Sequence, residues 1–166
     1  MLAVVQQQYD WIKAARNSLF AFMEEMPIRL LHQPVPGFGH RTMIQAHLHV
    51  VGSYRFWLDS FAFRKLSEHK DTATDEIERA DVRHVRSRFA EADDIVERFL
   101  TAYSDRLFEP IIQSGKWQGY PQAPTPLLLL NHVQTHEFHH KGQIVMLARQ
   151  LGFPPPADDR LGGLFT

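Results

Sequence analysis

The segment PLLLLNHVQTHEFHHKGQIVMLARQL, residues 126–151, predicts a long helix with one apolar side. Pro126 suits the first turn of a helix, where its missing N–H costs no hydrogen bond. Gly152 and the prolines at 154–156 end the pattern, because proline cannot continue a helix. The core side is marked by Leu130, Val133, Ile144, Leu147, Ala148 and Leu151. This side must pack against other elements of the fold.

Three further segments upstream carry a helical period: about Ala3–Met26, Thr42–Leu66 and Glu76–Tyr103. Pro27 ends the first of them. No run of residues has a convincing strand pattern. The sequence therefore predicts an all-α fold, a four-helix bundle of one domain over residues 1–166.

The segment from Ser104 to Pro126 interrupts this plan before the fourth helix. Its glycines and prolines predict an irregular excursion, with at most a short hairpin. Its apolar residues would pack the excursion back on the body; they are Leu107, Phe108, Ile111, Ile112, Trp117 and Tyr120.

Composition narrows the class of protein. A formal net charge of -1 gives no basic surface for nucleic acid, and no apolar stretch is long enough to span a membrane. The first residues lack the pattern of a secretory signal, so we expect a cytoplasmic protein. The chain has no cysteine, and a thiolate of its own is thereby excluded as a metal ligand or nucleophile.

Histidines form a stripe on the fourth helix, at His132, His136 and His140. Each step of four residues advances about 40° around the helix and about 6 Å along it, so neighbouring histidines can share a metal ion. The outer two are about 12 Å apart and cannot both bind one ion. By the apolar period, His140 lies within the buried side of this helix and His136 lies at the edge of that side. This favours His136 and His140 as the two metal ligands. A hydrogen-bonded core or a pH-sensitive cluster is the competing interpretation.

Two known metal motifs overlap this stripe. HEFHH, residues 136–140, has the spacing of the zinc-protease signature H-E-x-x-H, in which the glutamate activates water. No histidine or glutamate follows His140, and Gly142 is one position early for the extended form of that motif. Glu137 and His140 also fit the E-x-x-H of di-iron bundles, but no second copy exists. Both interpretations are disfavoured, and the missing ligand must come from another helix.

The second helix offers His47 and His49, which lie on opposite sides of it. Period alone prefers His47, in the middle of an apolar stripe formed by Met43, Val50, Tyr54, Trp57 and Phe61. His49 points to a weaker apolar side. The residues by themselves leave this choice open.

The chain resembles the DinB family of metal-binding four-helix bundles. The resemblance rests on HVQTHEFHHKGQ at 132–143, LGFPPP at 151–156, and HVVGSYRFWL at 49–58, with a histidine eight residues before Trp57. It implies an up-down-down-up bundle with one metal ion on His49, His136 and His140. It also implies zinc, nickel or a similar divalent ion, and a homodimer.

Family members of known activity are thiol-dependent enzymes, and the resemblance implies a metal-dependent thiol S-transferase that joins a small thiol to an electrophile. Three neutral imidazoles leave a position open for such a ligand. Glu137 and Gln143 are predicted orienting groups near the ion. The alternatives are a non-catalytic, metal-binding stress-response dimer and a metal-dependent hydrolase.

Overall fold

The computed structural model describes residues 2–112 and 123–154, and everything regular in them is helical. The elements are α1 (Leu2–Glu24), α2 (Ile28–Leu31), α3 (Met43–Tyr54), α4 (Thr74–Arg79), α5 (Val82–Ala102) and α6 (Pro126–Gln150). A π-helix (Arg55–Phe61) continues α3, and a single 3₁₀ turn (Leu66–Glu68) follows it. The all-α prediction is confirmed for these residues, where no strand occurs.

The long helices α1, α3, α5 and α6 surround one apolar core. α3 packs against both α5 and α6, and α1 packs against the same two helices. The largest fully buried side chains come from these helices and from the segments that follow α1 and α3; among them are Tyr9, Met23, Leu48, Tyr54, Phe61, Phe89, Phe99 and Leu130. Burial of this apolar surface is the main favourable contribution to folding.

Both ends of α6 follow from the sequence as predicted. The Thr125 hydroxyl accepts a hydrogen bond from the Leu128 N–H, which caps the helix ahead of Pro126. Gly152 has φ +77°, and the N–H groups of Gly152 and Phe153 donate to the carbonyls of Arg149 and Ala148. This Schellman ending needs a left-handed residue, a conformation that glycine adopts without strain.

Two predicted helices differ from those observed. The one expected over Thr42–Leu66 is α-helical only to Tyr54, continues as the π-helix, and ends near Arg64 at φ +61°. The one expected over Glu76–Tyr103 is split, because Ala80 is extended and the Asp81 side chain accepts from the His84 N–H to start α5. An N-cap aspartate overrides a continuous apolar period here.

The excursion before α6 is anchored at both of its described ends. The Ile111 N–H donates to the Pro124 carbonyl at 2.9 Å, and the Leu127 N–H donates to the Leu107 carbonyl at 3.0 Å. The predicted packing of Trp117 and Tyr120, and the short hairpin, fall outside the described residues. In the described part, no helix is long and apolar enough to cross a membrane.

Candidate metal centre

Histidines from two helices meet where α3 packs against α6. His49 Nε2 lies 3.2 Å from His136 Nε2, and His140 Nε2 lies 3.2 Å from the same atom. The His140 ring is buried, whereas His49 is open to solvent on one side. Three ring nitrogens therefore converge where α3 contacts α6, next to solvent.

These separations suit a shared ion better than hydrogen bonding. Ligand nitrogens at about 2.0–2.1 Å from a tetrahedral ion would be roughly 3.3–3.4 Å apart. A single imidazole nitrogen carries either one proton or one lone pair, so His136 Nε2 cannot form a full hydrogen bond with both neighbours. The donor set thus fits a divalent metal ion.

Gln143 fixes the orientation of one member of the cluster. His140 Nδ1 and Gln143 Oε1 are 2.8 Å apart, and Gln143 Nε2 lies 3.0 Å from His139 Nε2. Because an amide oxygen can only accept, the His140 proton is on Nδ1 and the Nε2 lone pair faces the cluster. Partners of this kind orient metal-ligating histidines in general.

The charge state of the cluster also suits a cation. Burial, together with the neighbouring His140 and His49, lowers the pKa of His136 to about 4. Burial also lowers the pKa of His140 to about 4, against an opposing effect of the Gln143 hydrogen bond. Burial and then His40 lower the pKa of His49. The imidazoles are therefore neutral near pH 7, the form that binds metal.

The two histidines that the sequence could not separate have different surroundings. His47 is 3% exposed and packs between the rings of Phe20 and Phe89, at 5.5 and 5.8 Å. Burial, followed by Arg16, lowers its pKa to about 3. The structure brings His49 to His136, and His47 belongs to the apolar core.

The other histidines of the α6 stripe lie beside the cluster. The His132 ring stacks on His136 at 5.8 Å and meets the edge of Trp57 at 5.4 Å. The π-helix after α3 carries this tryptophan, and such irregular turns are frequent at functional sites. His139 is exposed and contacts Gln143.

Sequence reasoning missed His40, which the loop before α3 brings to the same place. His40, His49 and His140 each offer a ring nitrogen, and these atoms lie within 4.8 Å of one another. That group shares two members with the predicted set of His49, His136 and His140. Because His40 lies in a loop outside any helical period, nothing in the pattern of the sequence marks it.

Glu137 points away from the cluster into a buried polar network. Its carboxylate accepts from Arg16 Nε at 2.7 Å, from Arg16 Nη2 at 3.0 Å, and from the Tyr54 hydroxyl at 2.7 Å. Arg16 Nη1 donates to Asp93 at 2.7 Å, and the Tyr9 hydroxyl donates to the same oxygen at 2.5 Å. The network joins α1, α3, α5 and α6, and it was not predicted.

The electrostatics of this network match its burial. Burial alone would lower the pKa of Arg16, but the Glu137 carboxylate raises it well above the usual value. Burial and then Glu137 raise the pKa of Tyr54. Glu137 is thus held as an ion-pair partner of Arg16 and is turned away from the histidine cluster.

A cleft of about 490 Å³ opens beside the cluster. His40, His49 and His136 are among its lining residues, and Phe56 and Trp57 give it aromatic side chains. Its other described lining includes Gln45, Ser53, His69, Asp71, Thr72 and His132. A small molecule can therefore reach the ring nitrogens directly from solvent.

The chain was compared with curated proteins and with models of protein families. No curated protein matches the chain significantly. The model of the DinB family matches residues 1–165, almost the whole chain. The all-helical fold, with histidines of α3 and α6 close enough to hold a metal ion, is therefore that of a member of the DinB family.

Proposed function

We propose that this protein binds a divalent ion through His49, His136 and His140 and uses it to transfer a small thiol to an electrophile. The observation that carries the proposal is the convergence of three neutral imidazole nitrogens, with His136 Nε2 3.2 Å from each of the other two. Zinc and nickel are the favoured ions, because both accept imidazole ligands. The proposed frame is a single-domain four-helix bundle of up-down-down-up order.

A divalent ion held at this site would supply Lewis acidity, which would lower the pKa of a small thiol so that its anion is available near neutral pH. The protein contributes the rest. Gln143 holds the His140 ring in place, and the aromatic wall of the cleft gives an apolar electrophile a surface. The thiol sulfur forms a bond to the electrophile, whose leaving group departs with the bonding electrons while the thiol proton passes to solvent. Because the chain has no cysteine, the sulfur must come with the cosubstrate.

The metal site is tested first, by elemental analysis and zinc titration of wild type and His136→Ala. We expect about one ion per chain in the wild type and loss of binding in the variant. His84→Ala is the control, because His84 lies on α5 and pairs with Glu76. Equal metal content in wild type and His136→Ala would contradict the proposed metal site.

The reaction is tested with zinc- or nickel-loaded protein, low-molecular-weight thiols and a panel of electrophiles. Conjugate formation that His136→Ala abolishes would support the transferase. Tight metal binding without turnover of any physiological thiol would favour the alternative, a non-catalytic stress-response bundle. Turnover of esters or amides without thiol would favour the metal-dependent hydrolase.

A homodimer is also part of the proposal. Exposed apolar side chains on α1 and α6, two helices that pack together, support it: Val4, Trp11, Phe138 and Met146. Sedimentation velocity should then report the mass of two chains, and the mass of one chain would contradict the dimer. The expected cytoplasmic location stays a prediction.

A further inference from the structure

His40 lies on a loop and has a place in the cluster that the helix motifs do not assign. Its ring stacks on His49, with centroids 4.0 Å apart and planes 24° apart. The same ring meets His140 edge-on at 4.8 Å. Its ring nitrogen is within 4.8 Å of those of His49 and His140. His40 thus covers the two histidines that the helices bring together.

The backbone of this loop is held in one conformation. The Arg41 carbonyl accepts from the Val35 N–H at 3.0 Å, and the Arg41 N–H donates to the Phe38 carbonyl at 3.1 Å. Arg41 has φ +61°, a left-handed conformation that is strained for a residue other than glycine. Strain of this kind persists where the surroundings impose it, and it is often found next to functional residues. Thr42 then caps α3, the helix that carries His49.

The chemistry of the ring fits a fourth ligand. His40 is half-buried, and one of its ring nitrogens lies near those of His49 and His140. A neutral imidazole adds no repulsion to a site that must hold a cation, and its lone pair is a good donor to zinc or nickel. A tetrahedral ion takes four donors, one more than the helices supply.

We propose that His40 is the fourth protein ligand of the ion held by His49, His136 and His140, an inference that rests on the proposed function. The three helix-borne histidines then hold the ion, and His40 occupies the position that an incoming thiol needs. Because His40 is on a separate loop, rotation of its side chain can free that position without moving the other three histidines. The His40 side chain would therefore control entry to the metal.

The test compares wild type, His40→Phe and His69→Phe by Co²⁺ titration followed by absorption. Phenylalanine keeps a ring against His49 but has no donor atom. His69 lines the same cleft but contacts Ser60 and Phe56, so it is the matched control. We expect His40→Phe to weaken Co²⁺ binding about 10- to 100-fold or more, since losing a group that only orients a ligand already costs that much. The ligand-field bands should shift in His40→Phe and stay the same in His69→Phe.

The outcomes separate the two proposals. Wild type and His40→Phe with equal affinity and equal spectra would overturn the fourth ligand and leave the three-histidine site standing. Wild type that binds no Co²⁺, Zn²⁺ or Ni²⁺ would overturn the proposed function itself. Circular dichroism checks the fold of His40→Phe, and His40→Ala replaces it if the larger ring prevents folding.

Discussion

Adjacent residues of α6 belong to two opposite kinds of polar site. Glu137 is 7% exposed and accepts hydrogen bonds from Arg16 and Tyr54. His136, one residue before it, faces His49 and His140 with lone pairs that cannot all be satisfied among themselves. Buried polar groups with matched partners stabilise one packing arrangement, whereas converging groups without enough protons are suited to a ligand.

The contrast also explains why H-E-x-x-H misleads in this chain. Consecutive residues point about 100° apart on a helix, so His136 and Glu137 can serve different regions. The motif spacing is present, but the glutamate is turned to the core by an arginine 121 positions away. The buried network holds Glu137 on the core side of α6, while His136 and His140 lie next to His49 of α3.

The largest expected effect comes from breaking the buried network. Arg16→Met should lower the free energy of unfolding by about 3–5 kcal/mol, because it leaves the Glu137 carboxylate buried without its partner. Urea denaturation measures the change. The matched control is Arg86→Met, whose salt bridge to Glu24 is exposed and should contribute at most about 1 kcal/mol. The double variant Arg16→Met/Glu137→Leu should recover most of the loss. Equal effects of Arg16→Met and Arg86→Met would contradict the contrast between buried and exposed pairs.

A smaller effect is expected from a change confined to the charge of Glu137. Glu137→Gln should cost roughly 1–3 kcal/mol of stability, since Arg16 loses part of its charged partnership. Zinc stoichiometry should stay at the wild-type value, because Glu137 does not face the ring nitrogens. Urea denaturation and zinc titration on the same preparation measure both. Loss of the ion with unchanged stability would show that Glu137 serves the metal centre instead.

The smallest effect is expected at His47, and it has the opposite sign. His47 Nδ1 is buried without a hydrogen-bond partner among the described residues. Replacing an unsatisfied buried polar group by an apolar one removes a desolvation cost, so His47→Leu should raise stability by about 1 kcal/mol. A higher midpoint of thermal unfolding, with unchanged zinc affinity, is the expected result. Reduced zinc affinity of His47→Leu would instead indicate that His47 takes part in metal binding.

Prediction from the sequence worked where the information is local. The helical period places His136 and His140 on one side of α6, and Pro126 and Gly152 mark the two ends of that helix. It failed where an irregular turn decides the geometry. Asp81 splits a helix whose apolar period is continuous, and the π-helix after Tyr54 changes the register along the cleft. The apolar period favoured His47 because it measures burial, and His47 is the buried histidine of the two; only the fold shows that His49 is the one that contacts His136.

The sequence by itself determined the all-helical class, the two ends of α6 and the DinB resemblance, because these depend on residue spacing within single segments. The tertiary structure alone decided that His49 meets His136, that Glu137 pairs with Arg16, and that His40 joins the cluster. Each of these contacts links elements far apart in the chain, and the spacing within one helix carries no information on which partner faces it.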